Sequence, residues 1–222
     1  MRVGTKSVLF GAHCFFLHPW FVAWGWWRLY GFPWDPRMWF VFAFHDIGYL
    51  GKPNMDGDEG ERHPWTGAKI ISWLFDDFPD VAFPSVCGRT VGALLHRLLG
   101  SPPSSGNWYS FSLYHSRFLA KKYGTTPSLL CVADKLAITL TPWWLYLPMV
   151  NWTGEIKEYM AMSVQNGNTK YAFMSIDHKS QRQWYANMQN YLVKWVAEHK
   201  GGKEDTWTPA SREPRDSSGV WK

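Results

Sequence analysis

The pair His45-Asp46 lies inside the run 39–48 (WFVFAFHDIG), and it constrains this chain more than any other feature. An imidazole and a carboxylate side by side are costly in so apolar a stretch unless something compensates them. A divalent metal does so, because it binds both groups and cancels the carboxylate charge. Six of the eight histidines precede Asp134, at His13, His18, His45, His63, His96 and His115. Several of them stand in apolar helical runs, which reads as a site rather than as scattered polar residues.

Periodicity and helix breakers predict an all-α chain. A first helix is expected over 6–30, bent at Pro19, and a second over 36–49, with Pro36 in its first turn. The stretch 51–61 holds four glycine or proline residues and four acidic ones, and reads as a loop. Further helices are expected from His63-Pro64 through 75, over 86–99, over 109–123, from Thr126 as N-cap, over 154–164 and over 177–199. The apolar run 139–149 reads as core packing or as a pocket lining. The domain reading is a metal-binding helical domain at 1–150, a C-terminal helical extension packed on it at 151–200, and an irregular tail at 201–222.

The 222 residues suffice for one domain with a generous core, and 46% hydrophobic with 18% charged residues is a globular composition. Sixteen tryptophans could fill a core, form a binding surface or sit at a lipid interface. The formal charge of +5 suits an anionic substrate or a plain basic surface, and no zinc-finger spacing or basic repeat points to a nucleic-acid complex. Three separated cysteines do not make a disulfide framework, so a reducing, cytoplasmic setting is expected. The apolar stretch 8–30 carries His13, His18, Arg28 and Pro19, which argues against a membrane span or signal peptide. Homo-oligomer formation is left open.

The segments HPWFVA at 18–23, HDIG at 45–48, HPWTGA at 63–68, then His96, and ADKLA at 133–137 resemble the HD-domain superfamily. Its members are helical metal-dependent phosphohydrolases and phosphodiesterases, with a smaller branch of diiron oxygenases. The resemblance covers about 6–141 and implies an HD-type helical bundle whose metal ligands are His18, His45, Asp46 and Asp134. The context HPWFVA favours His18 over His13, since five residues on one helix turn the side chain by about 140°. His63 and His96 resemble the additional ligands of binuclear members such as the HD-GYP phosphodiesterases, in which the carboxylate matching Asp46 bridges two ions. No His-His pair follows at His96 and no Gly-Tyr-Pro motif appears, which argues against cyclic di-GMP as substrate. His115 stands between a ligand or substrate role and a surface one.

Two imidazoles and two carboxylates form a mixed N/O set suited to Mn, Fe, Co, Ni or Zn. Two such ions sharing a water would lower its pKa and hold hydroxide in line with phosphorus, with Asp46 and His63 at the reaction centre. Lys52, Arg62, Arg97, Arg117 and Lys135 are the cations available for the remaining phosphate oxygens, Lys52, Arg97 and Lys135 foremost. The expected function is hydrolysis of a small phosphate ester, a nucleotide foremost. The alternatives are a mixed-valent diiron oxygenase and a non-catalytic regulatory module of the same fold.

Overall fold

The computed structural model describes residues 1–55, 59–76, 94, 97–167 and 180–208. The chain is all-α. Its helices are α1 (Val3–Phe10), α2 (His18–Tyr30), α3 (Pro36–Phe44), α4 (Pro64–Phe75), α5 (Trp108–Leu113), α6 (Arg117–Lys122), α7 (Leu129–Leu140), α8 (Trp143–Thr153), α9 (Glu155–Gly167) and α10 (Gln181–His199). Short 3₁₀ turns at Ile47–Tyr49 and Gly60–Arg62 join α3 to α4, and no strand occurs among the described residues. No helix among them is long and apolar enough to cross a membrane.

Three of the long helices expected from periodicity are interrupted, each for a local reason. The helix expected over 6–30 divides into α1 and α2, because Pro19, which lacks an N–H, is favoured in a first turn and opens a new helix there. The one expected over 36–49 starts where Asp35 accepts from the Arg37 N–H at 2.9 Å, but stops at Phe44, before His45 and Asp46. The one expected over 109–123 splits around His115, since Ser116 caps α6 by accepting from the Leu119 N–H at 3.2 Å. The helix expected from Thr126 begins at Leu129, with Ser128 in the N-cap position. Of the helix expected over 86–99, residues 94 and 97–99 are described and are helical, and the rest lies outside the described residues.

The main core joins α2, α3, α4, α5 and α7 through Val22, Trp26, Val41, Phe42, Ile71, Phe111, Leu130 and Ala133. A second cluster joins α8, α9 and α10 through Tyr146, Leu147, Val150, Ile156, Trp184, Tyr185 and Leu192. The run 139–149 therefore divides: Tyr146 and Leu147 are core, while Trp143 and Trp144 are exposed. The α10 helix lies along α7, where Cys131 and Val132 meet Trp195 and Val196, and the Tyr185 hydroxyl donates to the Ile138 and Thr141 carbonyls at 2.8 and 2.6 Å. The tryptophans serve two settings, with Trp26, Trp108, Trp184 and Trp195 buried and Trp20, Trp24 and Trp27 on the exposed face of α2.

Residues 201–208 form no helix, and one side chain docks them on the fold. Asp205 is only 2% exposed. Its Oδ1 accepts from Trp195 Nε1 at 3.1 Å and from the Trp207 N–H at 2.9 Å. A polar, glycine-containing segment hides this role, because one carboxylate and one tryptophan dock it rather than any apolar periodicity. The expected tail beyond 208 lies outside the described residues. Substituting Asp205→Ala strips a buried tryptophan N–H of its acceptor and is expected to cost about 1–3 kcal/mol of stability. Chemical denaturation checks this, and truncation after Lys200 should lower the midpoint in the same direction.

Candidate metal centre

The histidines stand at helix ends. His18 is the first residue of α2, His45 follows the last residue of α3, His63 immediately precedes α4, and His115 lies between α5 and α6. Each of the last three turns its Nδ1 onto a nearby backbone carbonyl. His45 Nδ1 donates to the Phe42 carbonyl at 3.0 Å, His63 Nδ1 to that of Gly60 at 2.8 Å, and His115 Nδ1 to that of Ser112. Each bond reaches three residues back. It commits Nδ1 to the backbone and turns Nε2 to the centre, the nitrogen that binds a metal once it carries no proton. Tyr49 stacks on the His63 ring at 3.8 Å and holds its plane.

Asp46 stands among these rings with one oxygen for each pair. Its Oδ2 lies 3.0 Å from His45 Nε2 and 3.4 Å from His18 Nε2, and its Oδ1 lies 3.3 Å from both His63 Nε2 and His115 Nε2. Asp134, from the middle of α7, places Oδ1 2.9 Å from His18 Nε2 and 3.8 Å from His45 Nε2. Its Oδ2 accepts from Lys135 Nζ at 2.7 Å. Two sets of potential ligands result, His18 with His45, Asp46 and Asp134, and Asp46 with His63 and His115, each with its ligand atoms within 4.8 Å of one another. All six side chains are buried.

The donor set fits divalent metal. His63 Nε2 and His115 Nε2 are 3.1 Å apart, and both are lone-pair atoms once Nδ1 holds the proton. With Asp46 Oδ1 they make a triangle of acceptors that repel one another unless a cation lies among them. Edges of roughly 3.0–3.4 Å are those that metal–ligand bonds of about 2.0–2.1 Å produce at octahedral or tetrahedral angles. On the other side of the carboxylate, His45 Nε2 and Asp46 Oδ2 are buried 3.0 Å apart without a well-aligned hydrogen bond among the described residues. Buried polar atoms are nearly always satisfied, so this pair too suits a shared cation.

Two turns carry most of these ligands, and glycines let them meet. A Cβ on Gly48 would lie 1.9 Å from the His63 carbonyl oxygen, and one on Gly67 would lie 2.5 Å from that of Phe44. Both glycines belong to the HDIG and HPWTGA segments.

Electrostatics divide the centre in two. Burial opposes charge on both aspartates, yet the His45 charge holds Asp46, and the Lys135 ammonium holds Asp134, well below the usual carboxylate range. Burial likewise works against protonated His45, but the Asp46 charge pushes it up to about 10. His18 is raised as well, burial being outweighed by its hydrogen bonds to Asp134 and Asp46. Burial pushes His63 down to about 4 and also lowers His115.

Of the residues singled out from sequence, His18, His45, Asp46, His63, His115 and Asp134 come together. His96 lies outside the described residues, and His115 stands beside His63. Lys135 reaches the centre through Asp134. Arg97 is exposed, and Lys52 sits beside α1, its carbonyl accepting from the Gly4 N–H at 3.1 Å. Arg117 is turned away, bonded to the Tyr191 hydroxyl at 3.1 Å with its guanidinium over the Trp195 ring. A small cavity opens beside His18, His45 and Asp46, walled by Phe15, Phe42 and His13. Tyr49 escaped the sequence reading, although its place one residue after HDIG was a usable signal.

No protein-family model matches the chain, and no curated protein or solved structure does so either.

Two outcomes are expected. Gly48→Ala should separate the two turns and lower bound metal, read by elemental analysis, while helical content is kept. In the metal-free protein at pH 7 His45 holds a proton that an incoming ion must displace. Metal addition should therefore release protons and tighten as pH rises from 6 to 8. Calorimetry in buffers of different ionisation enthalpy checks this; an affinity independent of pH would contradict it.

Proposed function

We propose that this chain is a metal-dependent hydrolase of the HD type that cleaves a small phosphate ester, a nucleotide foremost, at a two-metal centre. The observation that carries the reading is the division of Asp46, which offers one oxygen to His18 and His45 and the other to His63 and His115. A pair of divalent ions held there would supply an activated water and would neutralise phosphate oxygens.

The chain's own residues supply the rest. The carbonyl bonds of His45, His63 and His115 keep each Nε2 turned to the centre. Lys135 holds Asp134 ionised and keeps its Oδ1 turned to His18, so it acts as a positioning residue. Burial of all six ligands lowers the local dielectric and strengthens every charge interaction with an anionic substrate. The net charge of +5 favours an anionic ligand.

Purified protein loaded with Mn, Co, Ni or Fe should release phosphate, pyrophosphate or a nucleotide product from a phosphoester panel. Asp46→Ala should abolish turnover and bind neither ion firmly, with helical content intact. Full activity in that variant would overturn the assignment.

The apolar aromatic wall of Phe15 and Phe42 beside fully buried ligands favours a second reading, the mixed-valent diiron oxygenase, because a dry pocket protects an oxidising centre. Tightly bound iron with a mixed-valent paramagnetic signal and oxygen uptake would select it. A colourless protein equally active with non-redox metals would remove it.

A further inference from the structure

A second buried polar cluster borders the metal cavity. Glu155, the first residue of α9, is fully buried. Its Oε1 accepts from the Ala12 N–H at 3.3 Å and from the Thr153 hydroxyl, and its Oε2 accepts from the hydroxyls of Ser7 at 2.9 Å and Tyr159 at 3.0 Å. Gly11 makes the room, since a Cβ there would lie 1.8 Å from Glu155 Oε1. Four donors on one carboxylate keep it ionised, and an ionised carboxylate accepts only.

That fact sets the direction of the next bond. Ser7 has a single hydroxyl proton and gives it to Glu155, so its oxygen must accept from His13 Nδ1 at 2.9 Å and from the His13 N–H at 3.4 Å. The reverse arrangement would face a serine lone pair against the carboxylate. The His13 ring is braced by Tyr49 at 4.8 Å between centroids and forms part of the cavity wall beside His18, His45 and Asp46. Its Nε2 has no hydrogen-bond partner among the described residues.

We propose that Glu155, acting through Ser7, holds His13 with its proton on Nδ1, so that Nε2 stands in the metal cavity as a hydrogen-bond acceptor orienting the water that enters it. His13 is then a catalytic residue, and Ser7 and Glu155 are positioning residues. The role of the water rests on the hydrolase reading; the arrangement of protons does not.

The test uses the full chain, loaded with zinc and labelled with nitrogen-15 in histidine. In the native protein His13 should show a protonated Nδ1 and an unprotonated Nε2. Glu155→Gln should reverse this. The backbone N–H of Ala12 cannot turn round, so the new amide keeps its carbonyl there and presents N–H to Ser7. The serine then donates to His13 Nδ1, and Nε2 takes the proton. Ser7→Ala breaks the link without disturbing the other donors on the carboxylate and should give a mixture of both forms; it also serves if Glu155→Gln fails to fold.

In turnover, His13→Ala should lower kcat by about 10- to 100-fold with KM and metal content kept, and His13→Gln, which retains an acceptor, should recover part of the loss. An Nε2-protonated His13 in the native chain, or a tautomer unmoved by both Glu155→Gln and Ser7→Ala, would overturn the proposal. Full kcat in His13→Ala would overturn its catalytic part. Absence of phosphoesterase activity in the native protein would count against the hydrolase reading, while the tautomer measurements would still decide the Glu155–Ser7–His13 arrangement.

Discussion

The rest of the molecule depends on one buried carboxylate, Asp46, which divides its oxygens between two pairs of imidazoles. Without positive charge among them, these acceptors repel, and a carboxylate in an apolar interior is expensive to keep. The surrounding bundle is therefore arranged to bring together groups that only a cation or protons can reconcile. Gly48 and Gly67 serve that end by removing the side chains that would keep the two ligand-bearing turns apart. The raised His18 and His45 and the depressed Asp46 and Asp134 express the same demand for positive charge.

Helix ends solve a second problem. Three of the four imidazoles must present Nε2 and hide Nδ1, and each does so by donating to a carbonyl three residues earlier. Ligands at the ends of α3 and α5 and at the start of α4 thus receive orientation from the backbone itself. Asp134 is the exception, mid-helix on α7, and takes its orientation from the neighbouring Lys135.

The C-terminal helices contribute more than cover. The α10 helix seals α7 from behind, with Trp195 and Val196 against Cys131 and Val132. The first residue of α9, Glu155, reaches the turn that leads from α1 into His18. Packing of the last third is thereby coupled to the entrance of the site, and the segment at 201–208 is tied down by a single buried aspartate.

The all-α class, the importance of His45-Asp46 and the convergence of His18, Asp46, His63 and Asp134 were legible in the sequence. They were legible because metal ligands in an apolar run violate ordinary patterning, and because the ordered segments resemble a helical metal-binding family. The position of His115 was not. Read as part of one helix over 109–123, it stands between a ligand role and a surface one, and the helix break capped by Ser116 is what brings it beside His63. Likewise His13 and His18 are not two faces of one helix, since the chain turns between α1 and α2. Nothing local marks Glu155 or Asp205, whose partners lie far off in the chain or in a segment without periodicity. Residue type and spacing by themselves determined which groups this chain has for binding metal. Which of them meet, and which carboxylate orients which imidazole, was decided by where the helices stop and how closely the turns pack, because a break of one or two residues redirects a side chain that periodicity would point elsewhere.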